Sequence, residues 1–279
     1  MKRAVMILVA SAVLFACEKN QNDPELVIKI AFDDSKPRLD NFGNPTDIPA
    51  GHAAQSPSFN SMSAHYIEFA PNGLTALGSG EIIYKGLETT EGGANAVDFN
   101  QAKIVQNNEV LYRTPLSEVT PGTYEWVRAS LTYQNYDITF KNGSVDYEGT
   151  LTSFVGFNTY IQDHVVGIVS ETVNANKLQG YWAFEALGII SNGQAPGTTV
   201  PNPLSDTSPV PPGSCVVTGE FKTPLVITGN ETEDIVVTLT LSTNQSFEWE
   251  DDFADGKFEP AAGETVVDMG LRGLYPSYE

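Results

Sequence analysis

Apolar and polar positions alternate along most of this chain with a period of two. In "ELVIKIAF", Leu26, Ile28, Ile30 and Phe32 fall on one side, with Val27, Lys29 and Ala31 opposite. In "DIVVTLTLS", Ile235, Val237, Leu239 and Leu241 oppose Val236, Thr238, Thr240 and Ser242. Alternation of this kind, rich in β-branched residues, predicts half-buried strands. The stretch "PGTYEWVRASLTYQNYDITF" changes parity: Val127, Ala129, Leu131 and Tyr133 are odd, whereas Tyr136, Ile138 and Phe140 are even. One extra residue resets the pleat, so a bulge is expected near Gln134-Asn135. Helical periodicity is nearly absent.

Further strands are predicted in "SAHYIEFA", "GEIIYKGL", "AKIVQ", "VDYEGTLTSFVGF", "HVVGIVSETV", "GYWAFEALGI", "TPLVITG", "QSFEWE" and "TVVDMGLRGL". Turn residues separate them at Pro71-Asn72-Gly73, Gly92-Gly93, Lys141-Asn142-Gly143, Gly229-Asn230 and Asp255-Gly256. Many short strands with this punctuation predict an all-β protein, an antiparallel β-sandwich of immunoglobulin-like type with long loops. Residues 191–214 are rich in proline and glycine and are read as a crossover loop within a single domain spanning 25–279.

The first residues break the pattern. Lys2 and Arg3 precede an apolar run, Ala4 to Ala16, too short for a membrane span and right for a signal peptide over 1–16. The junction Leu14-Phe15-Ala16-Cys17 resembles the lipobox of bacterial lipoproteins. That resemblance implies a diacylglycerol on the Cys17 thiol, further acylation such as palmitate, and cleavage just before it. Residues 17–24 then form a lipidated, polar tether. Residue 18 is glutamate rather than aspartate, which in that family points to the outer membrane.

Charge narrows the partners. The chain has 15 basic and 35 acidic residues, a net charge of −20, and loses Lys2 and Arg3 with the signal. Such a balance repels nucleic acid and anionic lipid, leaving the N-terminal lipid as the membrane contact. With Cys17 acylated, Cys215 has no disulfide partner and is read as a small packed residue.

Candidate chemistry is sparse. Asp251, Asp252, Asp255 and Glu259 crowd around Gly256, with Glu250 beside them, and would suit a calcium turn. An EF-hand register fails, because Phe253 and Ala262 occupy ligand positions. The competing reading is a solvated acidic hairpin tip. Asp33-Asp34 and Asp40 are a weaker acidic group. His65 reads as structural and His52 as a solvated loop residue. His164 follows Asp163, but strand neighbours face opposite ways. Trp126, Trp182 and Trp249 would serve either as core or as a platform for glycans. No G-x-S-x-G, H-E-x-x-H or phosphate loop is present.

The order of segments over 25–140, with Pro121, Gly122, Tyr124, Val127 and Leu131 at a Pro-Gly-x-Tyr turn into a strand, is similar to the MbnP-like family of exported β-sandwich proteins. The phrases "GNPTDIPAGHAAQSPSFNSMSAHYIE", "GQAPGTTVPNP", "SFEWED" and "VVDMGLRGL" resemble a group of Bacteroidota envelope lipoproteins. Some MbnP-like members bind copper through histidine and a modified tryptophan. His52, His65 and His164 lack ligand spacing, so the resemblance carries the fold and not the copper. The expectation is a lipid-anchored, non-catalytic module that binds a ligand or metal, with an envelope protein or a glycan as candidate partner. The alternative is an accessory lipoprotein that touches only proteins.

Overall fold

A computed structural model describes residues 23–40, 43–195, 208–269, 271 and 273–279. Cys17 and the signal segment lie outside the described residues. In chain order the strands are β1 (Glu25–Asp33), β2 (His52–Gln55), β3 (Ser58–Ala70), β4 (Glu81–Lys85), β5 (Glu88–Thr89), β6 (Ala96–Asp98), β7 (Glu109–Pro115), β8 (Gly122–Asn142) and β9 (Val145–Phe154). There follow β10 (Asn158–Val166), β11 (Val169–Leu178), β12 (Tyr181–Ala186), β13 (Ile189–Gln194), β14 (Cys215–Ile227), β15 (Ile235–Ser242), β16 (Phe247–Glu250), β17 (Val266–Met269) and β18 (Leu274–Tyr278). No α-helix forms among the described residues.

The all-β expectation is met. A curled seven-stranded sheet, β13-β12-β9-β8-β3-β4 with β14 also on β8, forms the middle layer. One face is covered by the sheet β18-β15-β1-β7. Leu26, Ile28, Ile30, Val237, Leu239 and Leu241 pack there on Met62, Ile67, Phe69, Val127, Ala129 and Leu131. Further along the same face the small sheet β17-β16-β2 packs Phe247 and Trp249 onto Tyr136, Ile138 and Phe140. Phe59 joins the two regions, its ring 5.3 Å from Phe32 and 4.8 Å from Tyr136. On the opposite face, residues of β10 and the turn after β6 close over Tyr133, Phe154 and Tyr181 through Ile161 and Phe99.

β8 is the axis of the molecule. Its parity change is real, but the extra residue is Thr132 and not Gln134-Asn135. Ser63 pairs with Tyr133 and Ala64 with Leu131, which skips Thr132 on β8. From Tyr133 onward β8 pairs with β9 without a break. Leu131 and Tyr136 therefore share a face, and Tyr133 turns to the other one. A second bulge at His65 compensates on β3, where Tyr66 pairs with Ser130.

Other expectations need correction. β1 pairs with β15 in parallel, and β10 with β6 likewise, within an otherwise antiparallel arrangement. β1 is buried on both faces, Val27 and Ala31 included, as suits a central strand of this kind. "HVVGIVSETV" is a hairpin, turning at Gly167-Ile168, rather than one strand. "AKIVQ" is not a strand; only Val105 bridges, to Met62. Of the 191–214 loop, Ser191–Gln194 belong to β13 and residues 196–207 lie outside the described residues.

Candidate functional site

The far end of β8 carries a cleft of about 260 Å³, floored by Phe140, Trp249 and Phe258 and rimmed by Lys141, Asp146 and Lys257. Its construction follows from a free edge. β3 stops pairing with β8 at Asp137, so the backbone of Thr139 and Lys141 needs other partners. The Gln55 side-chain amide takes both groups of Thr139, donating to its carbonyl at 2.8 Å and accepting from its N–H at 2.9 Å. The Lys141 N–H donates to the Phe258 carbonyl at 2.7 Å. The chain between β16 and β17 is thereby docked along β8 and becomes one wall.

That wall is the acidic stretch. Asp251 turns inward and caps its own loop, accepting from Asp255 N at 3.3 Å and Gly256 N at 2.9 Å. Asp252 is exposed. Asp255 and Glu259 converge on Lys141, whose Nζ lies 2.9 and 2.8 Å from their oxygens. The hydrogen bonds to Glu259 and then Asp255 raise the Lys141 ammonium above its usual range, and the bond from Lys141 holds Asp255 below its own. Lys257 sits 2.7 Å from Asp146. Beneath the loop, Glu264 is buried and accepts from Glu259 N at 2.6 Å; burial pushes its carboxyl up.

The four acids named for calcium are thus not gathered into a cage. Among the described residues no group of three or more His, Cys, Asp or Glu side chains is placed to hold a metal ion. Lys141 already supplies the cation between Asp255 and Glu259. Excess calcium is expected to leave the melting midpoint unmoved, because only a ligand that favours the native state raises it. A clear rise would restore the calcium turn.

The remaining candidates are scattered. His52 is half-buried and held rather than free in a loop; its Nδ1 lies 2.6 Å from the buried Glu248 carboxylate, which also holds Arg38. His65 Nε2 meets Glu88 at 2.9 Å. Trp249 is core beneath the cleft, whereas Trp126 and Trp182 are half-buried on β8 and β12, so the three form no common platform. Asp33 and Asp40 cap turns at Ser35 and Asn44. Cys215 opens β14 and is half-buried there. Sequence reasoning missed Gln55, Phe140, Lys141, Asp146, Lys257, Phe258 and Glu264. The one local signal was a lysine, Lys257, inside an acidic run.

His164 is buried edge-on against the rings of Phe99 and Phe154, while Asp163 is exposed. Glu171 stands 3.6 Å from its Nε2, too far for a hydrogen bond. Burial pulls its pKa down to about 4. The unfolded chain binds this proton below pH 6.5 and the native one does not, so stability drops from pH 6.5 to about 4, by about 3 kcal/mol. His164→Leu is expected to flatten that part of the pH–stability curve. An unchanged slope would remove His164 as its cause.

In comparisons with known proteins, the chain matches no family model, no curated sequence and no solved structure.

Proposed function

We propose that this protein is a lipid-anchored, non-catalytic ligand-binding module of the outer membrane, with an MbnP-like sandwich that presents its cleft away from the anchor. The observation that carries this reading is the position of the cleft. Pro24 accepts from Leu116 N, and the Gly229 turn meets Pro121, so the chain enters beside the start of β8. The cleft lies at Thr139 to Lys141, near the other end. The intervening strand spans at most about 65 Å. A tether over 17–24 reaches about 25 Å. A cleft with an apolar floor and a few convergent polar groups is the usual form of a small-molecule site.

The test is a thermal-shift and glycan-array screen of the purified full-length lipoprotein. A genuine ligand raises the midpoint, and Asp146→Ala with Lys257→Ala at the exposed rim removes that shift while leaving the unliganded midpoint nearly unchanged. Hits that survive the rim variants would refute the site.

A second reading is supported by two hairpin tips. Ile168, Leu187 and Ile189 are 85%, 76% and 73% exposed. The tips are neighbours, because Glu185 accepts from Gly188 N and reaches Gly167. An accessory lipoprotein with protein partners only would use such a patch. Silence of the ligand screen, with an envelope protein captured through these tips, favours it.

A further inference from the structure

The two bulges at His65 and Thr132 have a chemical consequence on the face of the middle sheet opposite the main core. They set Ser63, His65, Ser130 and Thr132 side by side there, since Met62, Ala64, Ala129 and Leu131 occupy the core face. The segment Gly156-Phe157 crosses this patch. Val155 N and Gly156 N both donate to the Thr132 carbonyl, and the Phe157 ring lies 5.6 Å from the His65 ring. Thr159 follows on β10; a Cβ on Gly156 would lie 3.0 Å from its Oγ1 and 3.6 Å from Thr132 Cγ2.

Ser63, His65, Ser130, Thr132 and Thr159 are each no more than 1% exposed. Yet Ser63 Oγ, His65 Nδ1, Ser130 Oγ, Thr132 Oγ1 and Thr159 Oγ1 make no hydrogen bond to the described residues. A buried hydroxyl or ring nitrogen without a partner is destabilising, and native interiors pair such groups with protein or with bound molecules. Five in one seam is far from that norm.

We infer that this seam binds a small neutral hydroxyl-bearing guest, either a cluster of one to three water molecules or a polyol of comparable size. The chemistry fixes what the guest must offer. Glu88 accepts from His65 Nε2, so a neutral imidazole presents Nδ1 as an acceptor. Burial lowers the His65 pKa, which favours that neutral form. The guest must therefore donate to Nδ1, while the four hydroxyls both donate and accept. Nearby charges are already matched: Glu88 is bound by His65 and Asn95, and Glu68 by Arg128. Neither an anion nor a cation finds a counter-charge in the seam.

The test uses the sign of a stability change. In the full-length protein, Ser130→Ala with Thr132→Val removes two of the five groups. A bound guest loses partners, and the midpoint is expected to fall by about 5 °C. Were the hydroxyls truly unpaired, their removal would raise the midpoint and overturn the inference. Should that variant fail to fold, an atomic-resolution crystal structure of the native protein decides. Density within hydrogen-bonding distance of at least three of the five atoms is expected. A seam without density, its hydroxyls turned onto backbone carbonyls, would overturn the inference. Mass spectrometry of molecules released on denaturation separates the sources: a polyol in stoichiometric amount identifies that guest, and density with no released organic molecule identifies water.

Discussion

Glu68→Ala is expected to cost about 3–5 kcal/mol, a fall in melting midpoint of about 10 °C. Glu68 is wholly buried on β3. Its carboxylate accepts from Tyr66 Oη at 2.6 Å, from Gly78 N at 2.7 Å, from Gly80 N at 3.0 Å and from Arg128 at 3.2 Å. One side chain thus satisfies two backbone donors of the 71–80 loop, a phenol and a guanidinium. Alanine leaves all four without their acceptor, and Arg128 stays largely covered, its side chain only 11% exposed. The penalty of that stranded charge exceeds the worth of any single bond. Glu68→Gln keeps an acceptor and should lose less. Urea unfolding of the three proteins checks the order; a Glu68→Ala variant within 1 kcal/mol of the native protein would contradict the account.

The second large effect is predicted at Glu248→Ala, again about 3–5 kcal/mol. Glu248 lies under the loop before β2, where it holds both Arg38 and His52. Arg38 also donates to the Gln245 carbonyl, so this buried group ties Arg38 and the start of β2 to β16. Unlike Glu68, it stands close to the cleft. His52 begins the strand that ends at Gln55, and Gln55 pairs with Thr139 at the cleft wall. Loss of Glu248 should therefore lower stability and also weaken any cleft ligand, while Glu68→Ala changes stability alone. A double-mutant cycle with Arg38→Met separates the pair energy from the stranded charge, because neighbouring partners are not additive. Additive losses would show that the two side chains do not act together.

How much of this was legible in the sequence depends on the range of each contact. β1, β8 and β15 are plain, since period-two alternation is written locally. The parity change in β8 was visible too. Its position at Thr132 was not, because a bulge is defined by the partner strand, and β9 holds Tyr133 onward in regular register. The parallel pairing of Leu26 with Ile235 joins distant parts of the chain and leaves no local mark. The hairpin at Gly167-Ile168 was hidden because its flanks are apolar. At the cleft, the acidic stretch was found and its use was not. What settles Asp255 and Glu259 is Lys141, a residue of another strand more than a hundred positions away. Glu248 and His52 are likewise coupled only by the fold.

The proposed function requires the anchor proposed at Cys17 and the cleft to lie at opposite ends of one sandwich. Energy transfer to an acceptor in the headgroups of reconstituted vesicles tests it most directly. Donors are attached at Thr232→Cys, in the turn beside Pro121, and at Ser144→Cys, in the tip after β8, each with Cys215→Ser. The account predicts strong transfer from position 232 and weak transfer from position 144. Equal or reversed transfer, or a protein that does not partition to vesicles at all, would contradict it.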